Sequence, residues 1–202
     1  KREPKLIFSF DSSGWCFLYH FGAALWVQDH FREEIESGEV HFSGSSGGAI
    51  VACVTALNLD LNPIMDEITT VVHQRARFKP WLLPIEVNRC LNYFFPHDAH
   101  TQLGNRLRIL MTRLLPGPPF VMGEVAAGFQ DRATLIGSLE ASSHIPVVFG
   151  PPYYLPASNA YYLDGLLWPT AFVPWRAAGD SPVCRISAFN NYGELLKPGA
   201  DG

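Results

Sequence analysis

No stretch of the chain reaches the roughly 18 uninterrupted apolar residues that a membrane-crossing helix requires. Charged residues are scarce, at 17%, and sum to a net charge of -4. There is therefore no basic footprint of the kind a phosphate backbone demands, which excludes nucleic acid as a partner. Cys16, Cys53, Cys90 and Cys184 lie far apart, form no CxxC pair and sit in apolar surroundings. They read as reduced core residues rather than as metal ligands or a disulfide framework. The N-terminal KREPKLIFSF has a short apolar run with no signal-peptide cleavage region behind it. These features point to a cytoplasmic domain. Lys1 without a methionine and the terminal GADG read as the ends of an excised piece. Peripheral work at a membrane stays open.

Apolar material is abundant. At 48% of 202 residues it supplies one sizeable core, and residues 1–202 are read as a single domain. KLIFSF (5–10) is a β-rich run that stops at the turn formers Asp11-Ser12-Ser13-Gly14, and WCFLYHFGAALWVQDHF (15–31) reads as a buried helix emerging into solvent. VHFS (40–43), SGSSGG and AIVACVTALNL then repeat the order strand, tight turn, helix. Two such units in succession predict an α/β fold with a mainly parallel central sheet and crossover helices.

Further along, residues 80–100 mix large apolar side chains with three prolines and are not expected to form one regular element. Irregular core and an apolar flap over a site are both open readings. Residues 103–114 fit a helix period at Leu103, Leu107, Leu110 and Leu114, but Leu107, Ile109 and Met111 also alternate as in a strand. Asp131 is expected to cap a helix over DRATLIGSLEASS, and IPVVFG and VCRISAF to be strands.

The chemistry concentrates in Gly44-Ser45-Ser46-Gly47-Gly48, a GxSxG match between a predicted strand and a predicted helix. A serine on such an elbow projects its hydroxyl out of the sheet, Gly44 and Gly48 remove Cβ atoms that would clash, and the helix N-terminus adds positive potential. The hydroxyl needs a base. In a serine–acid–histidine order the histidine follows the acid, but His73, His97, His100 and His144 all precede Asp164 and none follows it. Asp164, at the end of Tyr161-Tyr162-Leu163 and before Gly165, is the candidate base of a two-residue site, beside the plainer reading of an ordinary Asp-Gly turn.

The ordered set FSFDSSGWCFLYHFGAALWV, FSGSSGGAIVA, SLEASSHIPVVFG and YYLDG resembles the patatin-like phospholipase family, within it the adipose triglyceride lipase-like branch, across essentially the whole chain. The resemblance implies a three-layer α/β/α fold and a Ser46–Asp164 dyad. It also implies an acyl-enzyme route through carboxylic esters of phospholipids or acylglycerols, with neither metal nor organic cofactor. The implied oxyanion donors are Gly14, Trp15 and Gly47. The implied partner is a lipid substrate at a membrane or lipid-droplet surface; neither a head group nor an activator protein can be named. One departure stands out. The family's first loop is glycine-rich, whereas here only Gly14 remains, Phe17 takes the place of a further glycine, and Asp11 brings negative charge toward an oxyanion site. That keeps a weakly active or silent lipid-binding protein, and a transacylase, as alternatives to the hydrolase.

The remaining candidates have plainer readings. His97 and His100 have metal-like spacing but no third ligand, His20 reads as a packed core histidine, and Arg106, Arg108 and Arg113 as a solvated face. Trp81, Leu82, Phe94 and Phe95 are the residues expected to enter a lipid interface.

Overall fold

A computed structural model describes residues 4–146, 148–167 and 181–188, with the side chain of residue 15 left aside. Strand β1 (Leu6–Phe10) leads through a 3-10 turn (Gly14–Cys16) into α1 (Phe17–His30) and α2 (Arg32–Ser37). Then come β2 (Val40–Ser45), α3 (Gly47–Ala56) and α4 (Leu61–Glu67), which a π-helical turn (Ile68–Val72) joins to α5 (His73–Ala76). A 3-10 turn (Pro80–Leu82) precedes α6 (Leu83–Phe94) and α7 (Ala99–Leu103). The remainder is β3 (Leu107–Leu114), β4 (Val121–Ala126), α8 (Arg132–Ser142), β5 (Tyr153–Leu155), β6 (Ala160–Leu163) and β7 (Val183–Ile186).

The strands form one seven-stranded sheet in the order β5-β6-β3-β2-β1-β7, with β4 also on β3. β7, β1, β2 and β3 are mutually parallel, while β4 and β6 run against β3 and β5 against β6. The result is the expected α/β fold, a central sheet with flanking helices, but the sheet is mixed: the β7-β1-β2-β3 pairings are parallel, and the three pairings made by β4, β5 and β6 are antiparallel. Phe8 and Phe42 pair across β1 and β2 and stack, and Phe8 meets Phe31 edge-on, so one sheet face seats α1 through aromatic packing. The α3 helix is buried along almost its whole length because Gly48 has no side chain, Ala49, Val51, Ala52, Cys53, Val54 and Ala56 have small or branched apolar ones, and the Thr55 hydroxyl is satisfied by the Val51 carbonyl at 2.7 Å, so the helix can lie close to the sheet.

The register of β3 decides the position of the site. Ile109 and Leu110 pair with β2 and β4 at once, and Thr112 and Arg113 with β4 and β6. A strand has two edges, so β4 holds one edge of β3 while β2 and β6 divide the other. β2 runs up that edge and ends at Ser45 opposite Leu110; β6 runs down it and ends at Leu163 opposite Thr112. The two C-terminal ends converge beside Met111. The next residues of the two strands are Ser46 and Asp164.

Several expectations need correction. The ambiguous 103–114 segment divides: Leu103 closes α7, and Leu107–Leu114 is strand. Residues 80–100 are, as expected, not one regular element, but neither are they irregular: between a 3-10 turn and α7 they hold a regular twelve-residue helix, α6, because the prolines lie at its borders, Pro84 in the first turn, where no N–H is needed, and Pro96 beyond its end. IPVVFG is not a strand in its described residues; the Phe149 N–H bonds back to the Ile145 carbonyl at 3.1 Å and makes a turn. Only Cys53 is fully buried. Cys90 is half-buried, while Cys16, in the turn before α1, and Cys184, on the outermost strand β7, are exposed.

The three arginines are half-buried rather than a solvated face. Arg106 donates to the carbonyls of Ile35 and Gln102, both at 2.7 Å, and Arg113 pairs with Glu124 at 3.0 Å. Among the expected interface residues Phe95 belongs to the core and Phe94 packs against it, because both face inward at the end of α6; Leu82 is half-buried and Trp81 exposed. VCRISAF contains β7, and Asp131 caps α8 by accepting from the Thr134 N–H at 2.7 Å. His20 is fully buried against the Phe10 ring.

Candidate active site

Ser46 is the hinge between β2 and α3, with φ 55° and ψ -135°, a region costly for any residue with a Cβ. Its neighbours permit that geometry. A Cβ on Gly44 would lie 2.6 Å from the Gly48 carbonyl oxygen, and one on Gly48 would lie 2.5 Å from that of Phe10. Strand and helix meet too closely for any side chain at either position. The Ser46 N–H donates to Ser142 Oγ at 2.9 Å, and Ser142 Oγ–H donates to the Leu110 carbonyl at 2.7 Å, so α8 ties the elbow to β3. Ser45 Oγ and Ser12 Oγ share a hydrogen bond of 2.8 Å, which links the elbow to the loop after β1.

Asp164 is held as firmly. Its N–H donates to the His144 carbonyl at 2.8 Å, its carbonyl accepts from Thr112 Oγ1 at 2.9 Å, and its Oδ1 accepts from the Leu166 N–H at 2.7 Å. Gly165 permits this approach, since a Cβ there would stand 2.5 Å from the Leu110 carbonyl oxygen and 2.9 Å from Ser45 Cβ. The remaining carboxylate oxygen, Oδ2, accepts the Ser46 hydroxyl at 2.7 Å. Ser46 is 5% and Asp164 2% exposed. Burial pushes the Asp164 carboxyl up to about 6, against the opposing pull of the hydrogen bonds from Leu166 and Ser46. A carboxylate titrating there is ionised at neutral pH and still basic enough to accept a proton.

Gly14 and Gly47 line the same cavity as Ser46. The loop and the start of α3 lie against each other: a Cβ on Gly47 would come 2.8 Å from Ser13 Oγ, itself buried without a hydrogen-bond partner among the described residues. The backbone of Trp15 lies within the 3-10 turn that follows. Phe17, at the place where a further glycine was expected, contributes to the cavity wall. The charge of Asp11 is not left facing the site: Arg185 Nε donates to both of its carboxylate oxygens, at 2.8 and 3.0 Å. This ion pair offsets the negative charge that the sequence places near an oxyanion position.

The cavity has a volume of about 260 Å³ and is mainly apolar, with walls that include Ile50, Val54, Val87, Leu91 and Phe94. Two buried or half-buried carboxylates in the wall are engaged. Glu140 accepts from Tyr153 at 2.8 Å and Asn88 at 2.7 Å, while Glu86 is bridged by Arg75 at 3.0 Å and Arg89 at 2.9 Å. The surface left for a guest is mainly hydrocarbon, which favours an apolar group over a charged one. Among the described residues no group of three or more His, Cys, Asp or Glu is placed to hold a metal ion, and no helix is long and apolar enough to cross a membrane.

Sequence reasoning overlooked Ser142, Thr112 and Arg185. Only Ser142 has a local signal, a serine in the last turn of a helix within the quoted SLEASSHIP segment; the other two act through strand pairing.

No family model matches the chain. Over 172 residues it is 29% identical to patatin-like phospholipase domain-containing protein 2 of Rattus norvegicus, an alignment covering 81% of this chain and 34% of that protein. It is 28% identical, with the same coverage, to the Mus musculus protein of that name. The chain thus matches about a third of the length of these relatives, and over most of its own length it is distantly similar to patatin-like phospholipase domain-containing proteins.

Proposed function

We propose that the chain is a serine acyl hydrolase acting on carboxylic esters of lipids, phospholipids or acylglycerols, with Ser46 as nucleophile and Asp164 as general base. The observation that carries this reading is the 2.7 Å hydrogen bond from Ser46 Oγ to Asp164 Oδ2, on a strained elbow that opens into an apolar cavity. In the first step Asp164 takes the hydroxyl proton as Oγ attacks the ester carbonyl carbon. Charge on the carbonyl oxygen is stabilised by backbone N–H groups of Gly14, Trp15 and Gly47 and by the N-terminus of α3. Collapse of the tetrahedral adduct breaks the bond to the leaving alkoxide, which takes the proton from Asp164 and departs as the alcohol. A water molecule, losing its proton to Asp164, then attacks the acyl-enzyme, and release of the fatty acid returns the proton to Ser46. An alcohol in place of the water gives transacylation.

The phospholipase name of the two relatives supports the lipid ester class, and the hydrocarbon wall of the cavity supports a long acyl group. Such a protein works at a membrane or lipid-droplet surface. A second reading, a weakly active or silent lipid-binding protein, is favoured by the depleted first loop, in which only Gly14 remains and Phe17 stands where the resemblance expects a further glycine.

A fluorophosphonate probe, together with fatty acid release from dispersed phospholipid and triacylglycerol, tests the proposal. Labelling and release are expected in the parent chain and lost in Ser46→Ala. Equal release by both proteins overturns the nucleophile, and an unlabelled but folded parent decides for the silent reading.

A further inference from the structure

The stretch 72–85, from the end of the π-helical turn to the first turn of α6, has two different faces. Its inner side supplies Val72, Pro80, Leu83 and Pro84 to the cavity that contains Ser46. Its outer side carries Phe78, Trp81 and Ile85, which are 80%, 59% and 61% exposed. Three large apolar side chains within eight consecutive residues, all in water, are a cost that a free surface does not explain. Trp81 and Ile85 are four residues apart across the join of the 3-10 turn with α6, a spacing that brings them to the same side of a helical run.

The charge of the segment is equally uneven. Residues 68–85 contain Arg75, Arg77 and Lys79 and no acidic residue, in a chain whose net charge is -4. Arg75 is taken up by Glu86 at 3.0 Å. Arg77 and Lys79 are exposed and flank Phe78, and the Arg77 guanidinium lies 4.8 Å from the centre of the Phe78 ring. Aromatic side chains beside cations are the composition of a surface that buries rings at the acyl boundary while its charges remain among head groups.

We infer that residues 77–85 form the docking surface for a lipid bilayer or monolayer bearing anionic head groups, with Phe78, Trp81 and Ile85 inserted and Arg77 and Lys79 at head-group level. Continuity with the cavity wall argues for lipid rather than a protein partner: the same short stretch carries the exposed apolar side chains on one side and lines the cavity on the other, so docking brings that wall of the cavity onto the lipid. The inference rests on the reading that the cavity receives a lipid acyl chain, and its test is independent of catalysis.

The experiment is flotation of the whole chain, in the Ser46→Ala background, with vesicles of phosphatidylcholine alone and of an equimolar mixture with phosphatidylserine. The background protein is expected to float, and better on the anionic vesicles. Phe78→Ser/Trp81→Ser is expected to weaken partitioning on both by about a hundredfold or more, from the transfer free energy of two large apolar side chains. Arg77→Gln/Lys79→Gln is expected to weaken it by about fivefold per charge on the anionic vesicles only. Phe120→Ser, an exposed aromatic outside the segment, is expected to float like the background protein. Failure of the background protein to float, equal flotation of the aromatic pair variant, or an equal loss in Phe120→Ser overturns the inference. The charge pair tests the surface separately, and equal losses on both vesicle types would overturn the role given to Arg77 and Lys79. Loss of Ser46 labelling in the parent chain would instead refute the catalytic reading and leave this result standing.

Discussion

Replacing Asp164 by asparagine should inactivate the protein and make it more stable at neutral pH. The carboxyl is 2% exposed, and burial raises it from 3.8 to about 6. At about 1.4 kcal/mol per pH unit that difference amounts to about 3 kcal/mol of folding free energy. The sign follows from linkage. A group raised in the folded state binds protons more tightly there than in the unfolded chain, so its contribution is fully present below about pH 4 and is lost as pH rises through about 6. The wild-type protein therefore carries the cost of a buried carboxylate at neutral pH, and asparagine does not.

Asparagine also keeps the local bonds: its carbonyl oxygen can accept from the Leu166 N–H, and its amide can donate to Ser46 Oγ. The variant should be more stable than wild type by about 3 kcal/mol at about pH 8, a rise in Tm of about 6–12 °C for a chain of this size, with the advantage vanishing toward about pH 4. Urea or thermal denaturation of both proteins across this range, with fluorophosphonate labelling in parallel, is the assay. Labelling should fall to background. An Asp164→Asn protein no more stable than wild type at about pH 8, or an advantage that does not shrink on acidification, refutes the reasoning. With Asp164 as the proposed base, the carboxylate must be ionised for reaction, so kcat/KM for a soluble ester should rise with an apparent pKa near 6.

Two further substitutions probe the framework. Ser142→Ala removes both the acceptor of the Ser46 N–H and the donor to the Leu110 carbonyl; it should cost about 1–3 kcal/mol in denaturant titration and lower kcat by roughly tenfold or more with KM little changed. His20, buried with neither ring nitrogen hydrogen-bonded among the described residues, is lowered by burial from 6.5 to about 4. Its contribution is present above about pH 6.5 and is lost as pH falls through about 4, so His20→Leu should remove about 3 kcal/mol of acid destabilisation, read as the difference between the two stability–pH curves.

Much of the framework is visible in the order of residues because it is locally encoded. β1 and α3 follow from contiguous apolar runs, β2 from a short alternating one, and the cap at Asp131 from a single side chain reaching an N–H three residues on. The failures are equally physical. Leu107–Leu114 satisfied two periods at once, and only pairing with β2, β4 and β6 makes it a strand. α6 was hidden because proline counts as a breaker unless its place in the helix is known. The depleted glycine loop pointed to an unscreened Asp11, yet Arg185, distant in sequence, lies on the neighbouring strand and neutralises it.

By itself the sequence determined the candidate nucleophile. An elbow is made by a few adjacent residues, and Gly44 and Gly48 around Ser46 lack the Cβ atoms that would prevent strand and helix from approaching so closely. The partner of Ser46 was a different matter: Asp164 lies 118 residues away, in a dipeptide that also reads as an ordinary turn. Tertiary structure decided it, because one edge of β3 is shared between a parallel strand and an antiparallel one, whose ends converge and leave the hydroxyl 2.7 Å from the carboxylate.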